Sequence, residues 1–440
     1  MGAQDLPGPM RRLMSTYRIM VDPIRWYTQW RATYGSTYRV PAVNGDVVVT
    51  SNPENVRRLF KLRSDETKPF AMDAVLPVIG RGSIFLLSGV RHRKERRILM
   101  PPFHGARMRS YGDAIRQIAE RAASKWVVGQ PVDIADDALD LSLEVILRAV
   151  FGVTTDERVA EYKVMIEDLV GRFHPILAFV PFLRFRFFGL SPWDRFLSSR
   201  DRFDALLLKD IAARRASGDR GVDILSLLLD ATYEDGSKLT DGLLRDELIS
   251  LLIAGHETTQ IMITWAMYRL QRHDDVREAL VEELHEAREE GSDAVVRLPI
   301  LHGVLSETLR LHPVLIDSPK ELTAVVELEE TTLQPGDNYL ICMTSLHRDP
   351  QIYADPESFD PARWNDRTFK PFEYCPFGGG VRRCIGSELA IYEMKTVLAT
   401  WVLGHRFESV DDPTRPLGTA RRNITVGPKR KLRLMYAGPR

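Results

Sequence analysis

A glycine-rich loop contains the residue of this chain that is best suited to bind a metal. Residues 377–386 read FGGGVRRCIG and lead directly into a predicted helix. Three consecutive glycines let the backbone turn tightly and approach a flat ligand closely, and Arg382 is placed to pair with a carboxylate of that ligand. Cys384 comes just before the helix N-terminus, where free N–H groups and the helix dipole favour a thiolate. The loop therefore predicts a thiolate ligand, the alternative being a buried structural cysteine.

A second motif lies inside a predicted apolar helix from about residue 240 to 272. Residues 254–259 read AGHETT, and an acid followed by a hydroxyl residue is unusual there because burying unpaired polar groups is costly. Ala254 and Gly255 are expected to open space beside the helix, with Thr258 one turn further on the same face. The residues alone leave two interpretations open: a groove for a diatomic ligand and a water, or a kink whose Thr bonds back to the preceding turn.

A zinc site at the same place is the weaker alternative. His256 and Glu257 begin the helical pattern of zinc proteases, but position 260 is Gln, so the second His is absent.

Two patterns of charged residues are weak evidence for a functional site when taken by themselves. His92 and Arg96 lie one turn apart on a predicted short basic helix, a pattern that most often marks a solvated face. Glu307 and Arg310 are three residues apart on another predicted helix, where side chains meet. An exposed pair of that kind contributes only ~0–1 kcal/mol.

Hydrophobic periodicity and turn residues predict a mainly α protein with small peripheral β-sheets. Asn44-Gly45 between two Val-rich runs indicates a hairpin, and Asn52-Pro53-Glu54 indicates a helix start. Apolar residues recur at three- and four-residue steps over most of the chain. The predicted elements are the hairpin 38–50, helices within about 106–310 (138–152, 203–213, 243–271 and 274–288), β segments 323–328 and 338–343 around Pro335-Gly336-Asp337, a helix over about 387–403, and a β segment at 423–434.

Composition excludes several classes of protein. The 440 residues are 44% hydrophobic and 27% charged with zero formal net charge, so nothing global indicates nucleic acid or an anionic membrane as partner. Three cysteines are too few for a disulfide framework, which favours a reducing compartment, and Cys342 and Cys375 are interpreted as core residues. No run approaches the ~20 apolar residues of a membrane span, and residues 1–12 are short and polar rather than a signal peptide. The predicted location is cytoplasmic, without a transmembrane anchor.

Together these motifs resemble the cytochrome P450 family, of the soluble bacterial type. Its haem-binding loop, Phe-x-x-Gly-x-Arg-x-Cys-x-Gly, is matched within residues 377–386, and the segment from Phe359 to Trp364 follows the Glu-x-x-Arg pattern in the family's order. The resemblance implies a single domain over residues 1–440 with the family's α-rich, triangular-prism fold. The β-rich parts are expected near 36–50, 321–343 and 421–435, and the helical core at about 106–312 and 387–403.

The resemblance also implies a role for each motif residue. Cys384 would be the axial ligand to the iron of haem b, Thr258 would stabilise the oxygen species at the iron, and Glu257 would relay protons to it. Lys320 stands where many members have a propionate-binding Arg, so it keeps the charge but loses the bidentate fork. The implied haem contacts are His92, Arg96, Ala254, Gly255, Lys320, Phe377, Gly378, Arg382, Cys384 and Gly386. The implied structural triad is Glu307, Arg310 and Arg363.

The implied reaction is monooxygenation. One atom of O2 would enter a lipophilic small molecule of the fatty acid, terpenoid, steroid or polyketide class, with electrons from NAD(P)H through a reductase and a ferredoxin or flavodoxin. The protein is expected to be a monomer. The alternatives are a non-oxygenating or peroxide-driven haem-thiolate enzyme, or a haem-binding sensor. The sequence leaves open whether the aromatic segment 173–196 contacts a membrane and whether Asp317 orients a substrate group.

Overall fold

The structure is a computed structural model that describes residues 2–70, 75–103, 106–173, 184–218, 221–288, 290–410, 415–422 and 424–440. The chain divides into two compact units. The first unit comprises Met1–Phe70, Met108–Leu141 and Thr258–Arg440, and the second comprises Ala71–Arg107 and Ser142–Glu257.

Helices make up most of the described chain. One helix start shows local capping chemistry clearly: the Asn52 side chain accepts hydrogen bonds from the backbone N–H groups of Glu54 and Asn55, with Pro53 at the first helical position. The helices are α1 (Arg12–Val21), α2 (Pro23–Tyr34), α3 (Pro53–Phe60), α4 (Leu76–Ile79), α5 (Gly89–Leu99), α6 (Ala106–Ala123), α7 (Ile134–Ala149), α8 (Asp156–Arg172), α9 (Pro192–Ser217), α10 (Ile224–Asp230), α11 (Asp241–Leu270), α12 (Asp274–Glu286), α13 (Ser292–Val295), α14 (Pro299–Leu311), α15 (Met343–Leu346), α16 (Arg363–Asp366) and α17 (Ser387–Gly404).

The described strands all belong to the first unit and form small sheets. They are β1 (Thr37–Ala42), β2 (Gly45–Thr50), β3 (Thr67–Pro69), β4 (Pro131–Asp133), β5 (Lys320–Leu322), β6 (Val326–Glu327), β7 (Thr332–Leu333), β8 (Asn338–Ile341), β9 (His405–Ser409), β10 (Thr419–Arg422), β11 (Thr425–Pro428) and β12 (Arg433–Pro439). The largest sheet has the order β1-β2-β8-β5-β3, in which only β2 and β8 are parallel. The others are β4-β12-β9, β10-β11 and β6-β7.

Helix α17, which follows the cysteine loop, is largely buried in the first unit. Trp401 is fully buried, and its indole N–H donates to the backbone oxygen of Ala119 in α6 over 3.1 Å. The Trp126 ring meets the Trp401 ring edge-on, with centroids 5.3 Å apart. Because this aromatic packing fixes α17, it also fixes the helix start to which the loop is attached.

The second unit is helical in the part that the structure describes, apart from a bridge between Thr232 and Lys238. Helices α8 and α9 pack through the edge-to-face rings of Tyr162 and Phe203. The Tyr162 hydroxyl donates to Asp210 over 2.7 Å, so the buried phenol is satisfied.

The predicted fold class, mainly α with small sheets, is confirmed, and one strand pairing differs from expectation. The turn around Pro335-Gly336-Asp337 does connect two β regions, but β8 pairs with β5, with Lys320 opposite Tyr339. The segment predicted as 323–328 contributes only β6, which pairs with β7. None of the helices in the described ranges has the length and apolar character needed to cross a bilayer.

Candidate active site

The cysteine loop is held in shape by its own backbone. The N–H of Cys384 donates to the oxygen of Phe377 over 2.9 Å, and the N–H of Gly378 donates to the oxygen of Cys375 over 2.9 Å. Between these bonds, Gly380–Arg382 form a 3-10 turn. The closed loop delivers Cys384 to the position just before α17.

Two different constraints require glycine in this loop: a positive φ angle and close contact with a neighbouring residue. Gly378 and Gly380 have φ angles of 68° and 60°, a conformation that residues with a Cβ adopt at a cost. A Cβ on Gly379 would lie 2.4 Å from the ring of Phe60, and one on Gly380 would lie 2.3 Å from the backbone oxygen of Phe60. The loop therefore needs glycine because it crosses the end of α3 in close contact. At Gly378 the neighbouring space is open.

The three cysteines differ sharply in environment. Cys384 is exposed, whereas Cys342 and Cys375 are buried. Burial raises the pKa of the Cys342 thiol to about 11 and that of Cys375 to about 12, so both stay protonated at neutral pH. The prediction that Cys342 and Cys375 are core residues is confirmed. Cys384 is therefore the one thiol of the three that is open to an incoming ligand, and its coordination of iron stays a prediction.

Two cations lie close together beside this loop. Burial and the positive charge of Arg382 lower the pKa of Lys320 to about 8. Lys320 is the first residue of β5 and pairs across the sheet with Tyr339. Burial raises the pKa of the Tyr339 hydroxyl, and the positive charge of Arg382 lowers it by a smaller amount. Two half-buried cations that repel each other favour a doubly anionic ligand. An exposed thiol, an open glycine and this cation pair suit haem, which carries two propionates.

The predicted triad is assembled around one buried carboxylate. Glu307 and Arg310 are both fully buried, with the Arg310 Nε–Glu307 Oε2 and Arg310 Nη2–Glu307 Oε1 distances at 2.8 and 2.7 Å. Arg363 Nε donates to Glu307 Oε1 over 3.0 Å. Arg310 also donates to the backbone oxygens of three residues, His347, Pro356 and Ser358. The triad thereby ties α14 to the segment that leads to the cysteine loop.

Sequence reasoning missed a further member of this cluster. The indole Nε1 of Trp364 donates to Glu307 Oε2 over 3.0 Å, and the N–H of Asp360 donates to Glu307 Oε1 over 3.1 Å. The signal was present in the residue type, since a buried indole N–H usually finds an acceptor. Trp364 is therefore a hydrogen-bonding member of the cluster as well as an aromatic side chain.

The AGHETT motif lies in the middle of α11. Residues 253–258 are half-buried, whereas 259–267, further along the helix, are buried. A Cβ on Gly255 would lie 2.6 Å from Cδ1 of Ile146 in α7, so the space that this glycine leaves is used by helix packing. Its predicted contact with a cofactor stays a prediction, as do those of its neighbours Ala254, Glu257 and Thr258.

The side chain of His256 contacts the backbone of its own helix. Its Nδ1 lies 2.7 Å from the backbone oxygen of Leu252, and burial lowers its pKa, which keeps the ring neutral. Within the described ranges, no group of three or more His, Cys, Asp or Glu side chains is arranged to hold a metal ion.

Helix α5 is less solvated than its basic sequence suggests. His92 is 1% exposed and Arg96 is half-buried. The buried Glu95 accepts hydrogen bonds from the Tyr233 hydroxyl at 2.8 and 2.9 Å, and Lys94 pairs with Asp235 at 3.0 Å. These contacts fix α5 against the turn that precedes α11.

The predicted site residues are divided between the two units. The first unit holds Cys384, Phe377, Gly378, Gly386, Arg382, Lys320, Thr258 and the triad. The second holds His92, Arg96, Ala254, Gly255 and Glu257. Within the first unit the structure brings Lys320 to Arg382 and assembles the triad.

The buried carboxyl of Glu247 was not anticipated from the sequence. Glu247, in the first half of α11, is fully buried. Burial raises its pKa to about 8, the charges of Glu95 and Asp246 add to the shift, and the backbone N–H of Ile84 opposes it. Glu247 is therefore uncharged at neutral pH.

Asp317 has its oxygens engaged by protein groups. Arg421 Nη1 donates to Asp317 Oδ1 over 3.1 Å, and the Tyr27 hydroxyl donates to Asp317 Oδ2 over 3.0 Å. Arg421 Nη2 also forms a salt bridge with Asp317 Oδ2. These contacts give Asp317 a structural role in joining α2 to β10. By the family resemblance, residues 71–86, 251–254, 314–318 and the vicinity of 421–423 are expected to line a substrate pocket. Of these segments and the aromatic segment 173–196, residues 71–74, 174–183 and 423 lie outside the described residues.

Known proteins resemble this chain along nearly its whole length. A family model described as cytochrome P450 matches residues 14–433. Cytochrome P450 138 of Mycobacterium bovis is 36% identical over 407 residues, covering 91% of this chain and 89% of that protein. Cytochrome P450 135A1 of Mycobacterium tuberculosis is 31% identical over 402 residues, covering 90% and 87%.

Solved structures show the same fold. A retinoic acid-bound cyanobacterial CYP120A1 superposes with a TM-score of 0.83 at 23% identity, covering 96% of each chain. The haem domain of cytochrome P450DA gives a TM-score of 0.85 at 23% identity, covering 99% of this chain and 98% of that one. With an exposed cysteine in the family's loop, a matching family model and relatives above 30% identity, this chain belongs to the cytochrome P450 family of haem-thiolate monooxygenases.

Proposed function

We propose that this protein binds haem b through Cys384 and inserts one oxygen atom from O2 into a lipophilic small molecule. The observation that carries the proposal is the contrast among the three cysteines. Only Cys384 is exposed, at the end of a loop whose glycines the backbone geometry requires. A bound haem would supply the redox-active iron at which O2 is activated.

The cationic side chains would hold the two propionates of the haem. Burial and, to a lesser extent, the charge of Arg382 lower the pKa of Lys320, so an anion between the two cations would relieve their repulsion. His92 and Arg96, one turn apart on α5, are proposed as the remaining contacts. The tie between Glu95 and Tyr233 fixes the rotation of α5 and hence the direction of both side chains.

Thr258 and Glu257 are proposed to deliver protons to the site of O2 activation. Both are half-buried in the middle of α11, next to a fully buried stretch of the same helix. A hydroxyl can accept a hydrogen bond and donate another at once, which lets Thr258 hold a proton donor in place. Glu257 would exchange protons with solvent and pass them on.

The remaining parts of the proposal concern partners and location. Electrons would come singly from a ferredoxin or flavodoxin that a reductase supplies from NAD(P)H. The proposed substrates are lipophilic molecules of the fatty acid, terpenoid, steroid or polyketide class, because the segments expected to line the pocket are rich in Val, Leu, Ile and Ala. We place the protein in the cytoplasm as a single catalytic domain that works as a monomer.

Replacing the proposed ligand tests the function directly. Cys384→Ser is expected to abolish the red-shifted Soret band of the ferrous carbonyl complex, because that band requires thiolate ligation. The matched control is Cys375→Ala, which removes a buried thiol from the core and should leave the band in place. A Cys384→Ser protein that kept the band would remove Cys384 as ligand and refute the proposal.

A further inference from the structure

Helix α1 turns a continuous apolar face away from the protein. We name this set the α1 outer face; it consists of Met10, Leu13, Met14, Tyr17, Met20 and Val21. Their exposed fractions run from 42% at Met14 to 93% at Met10. With about 100° of rotation per residue, the five members inside the helix fall within an arc of roughly 120°.

The opposite side of α1 is packed firmly. Ser15 is 1% exposed, and Ile19 packs on the core cluster that contains Tyr27 and Trp30. The N–H of Val43 donates to the Thr16 hydroxyl over 3.0 Å. The helix is therefore anchored in the orientation that leaves its apolar side in water.

Among the described helices such a face occurs in α1 alone, although the loop residues Phe185, Phe187, Phe188 and Leu190 are also exposed. In the other described helices, exposed large apolar side chains occur singly or in pairs, as at Val164 and Val170 of α8. Scattered exposed apolar residues need no explanation, but a contiguous patch marks an interaction site. The α1 outer face is such a patch.

Arginines near this patch indicate what covers it. Residues 10–26 contain four arginines and one aspartate, in a chain that has 60 basic and 60 acidic residues overall. By helical periodicity Arg18 borders the arc on one side, whereas Arg12 is turned towards the β1–β2 hairpin, where it pairs with Asp46 at 2.7 Å. Arg18 also lies over the ring of Trp26, 3.8 Å from its centroid, and Arg25 is exposed nearby.

This combination fits the surface of a lipid bilayer better than a second copy of the chain. An isologous dimer through α1 would bring the two sets of arginines together, and their repulsion would oppose it. A helix that lies in a membrane interface has the observed composition: Leu, Met and aromatic residues on one face, with Arg along its borders. Anionic headgroups would pair with those arginines.

We propose that the α1 outer face binds the surface of a membrane containing anionic lipids, with α1 lying in the plane of the interface. The apolar side chains enter the headgroup–acyl boundary, while Arg11, Arg18 and Arg25 meet lipid phosphates. This surface is independent of the haem chemistry proposed above, so either proposal can fail without the other.

Vesicle co-sedimentation of the haem-loaded full chain tests the proposal. The probes are vesicles of phosphatidylcholine with about 30 mol% phosphatidylglycerol, compared with pure phosphatidylcholine. The double variant Leu13→Gln, Tyr17→Gln is expected to lower the partition coefficient at least about tenfold, because two apolar side chains no longer enter the interface. Arg11→Gln should lower it about fivefold, and added salt should weaken binding further.

The matched control is Val164→Gln, which alters an exposed valine on α8 and should bind like the parent. Circular dichroism and the haem absorption spectrum verify that each variant is folded. Absent binding to the anionic vesicles, equal binding to both vesicle types, or unchanged binding by the double variant would overturn the proposal. A dimer in sedimentation equilibrium that the double variant dissociates would also overturn it, in favour of a second copy.

Discussion

Five donors converge on the carboxylate of Glu307, and they explain how a full charge is kept in the core. Two of these N–H groups belong to Arg310, and Arg363, Trp364 and the backbone of Asp360 donate one each. A buried ion pair survives when its remaining hydrogen-bonding capacity is satisfied, and removing one partner costs several kcal/mol. Trp364 supplies a donor that phenylalanine would lack, so this position is more specific than its aromatic character suggested.

The proposed role of Thr258 predicts a particular failure on mutation. Thr258→Ala should keep haem binding while directing reducing equivalents into hydrogen peroxide, because the hydroxyl that positions the proton donor is lost. The measurement is the ratio of hydrogen peroxide formed to NADH consumed, which we expect to rise several-fold. Thr259→Ala, at the buried neighbouring position, is the control and should leave that ratio unchanged. Normal coupling in Thr258→Ala would contradict the proton role.

Glu247 predicts a pH dependence of stability. Its pKa is about 8 in the folded protein against an ordinary value of 4.5, because of burial and the nearby Glu95 and Asp246. Since the folded-state pKa is the higher one, this contribution to stability is complete below about pH 4.5 and is lost as the pH rises towards 8. The loss amounts to about 1.4 kcal/mol per pH unit between the two values.

Glu247→Gln removes that titration and should therefore be the more stable protein at pH 8. Urea unfolding between pH 5 and 8 should show a difference between variant and parent that widens as the pH rises. Glu282→Gln, at an exposed position of α12, is the matched control, and its free energy of unfolding should change with pH as that of the parent does. A constant difference across this range would mean that Glu247 does not titrate there.

At the level of elements, the contact between α3 and the cysteine loop sets the tightest constraint. Gly380→Ala combines a φ of 60° with a Cβ only 2.3 Å from the backbone oxygen of Phe60. We expect a loss of at least ~2 kcal/mol in unfolding free energy and a marked fall in haem content per chain.

Gly404→Ala at the end of α17 is the control for this effect. No atom lies within 4 Å of its added Cβ, and alanine favours a helix more than glycine does. This variant should match or exceed the parent in stability and keep its haem. If Gly380→Ala behaved in the same way, the steric account of the loop would be wrong.

Elements with strong local signals were predictable from the sequence. The hairpin at Asn44-Gly45, the cap at Asn52 and the helix after Cys384 were all predicted close to their observed bounds. These signals are local: a turn needs positive φ, and a helix start needs a side-chain acceptor.

Features that depend on distant residues were not predictable. The parallel pairing of β8 with β2 joins segments far apart in the chain, and periodicity carries no information about such partners. Helix α1 has the three- and four-residue apolar spacing of an amphipathic helix, but periodicity does not tell whether the apolar side faces the core or the solvent. The buried state of Glu247 likewise arises from α5 and the segment near Ile84.

For the whole molecule, the balance of charge predicts how the protein behaves in concentrated solution. The formal net charge is zero and the isoelectric point is near 7.2. Without net repulsion, self-association should be strongest close to neutral pH at low salt and should weaken about a pH unit or more away. The second virial coefficient from static light scattering should have its minimum near pH 7. A coefficient that changes monotonically with pH would contradict this.

The unequal exposure of the three cysteines has a practical consequence for preparing the enzyme. In chains that lack haem, a thiol reagent should modify one sulfur quickly and spare two, because Cys342 and Cys375 are buried and stay protonated. Iron coordination would protect that reactive sulfur. A colorimetric thiol titration under native conditions would then report the unloaded fraction of any batch, and storage of that fraction would call for a reductant.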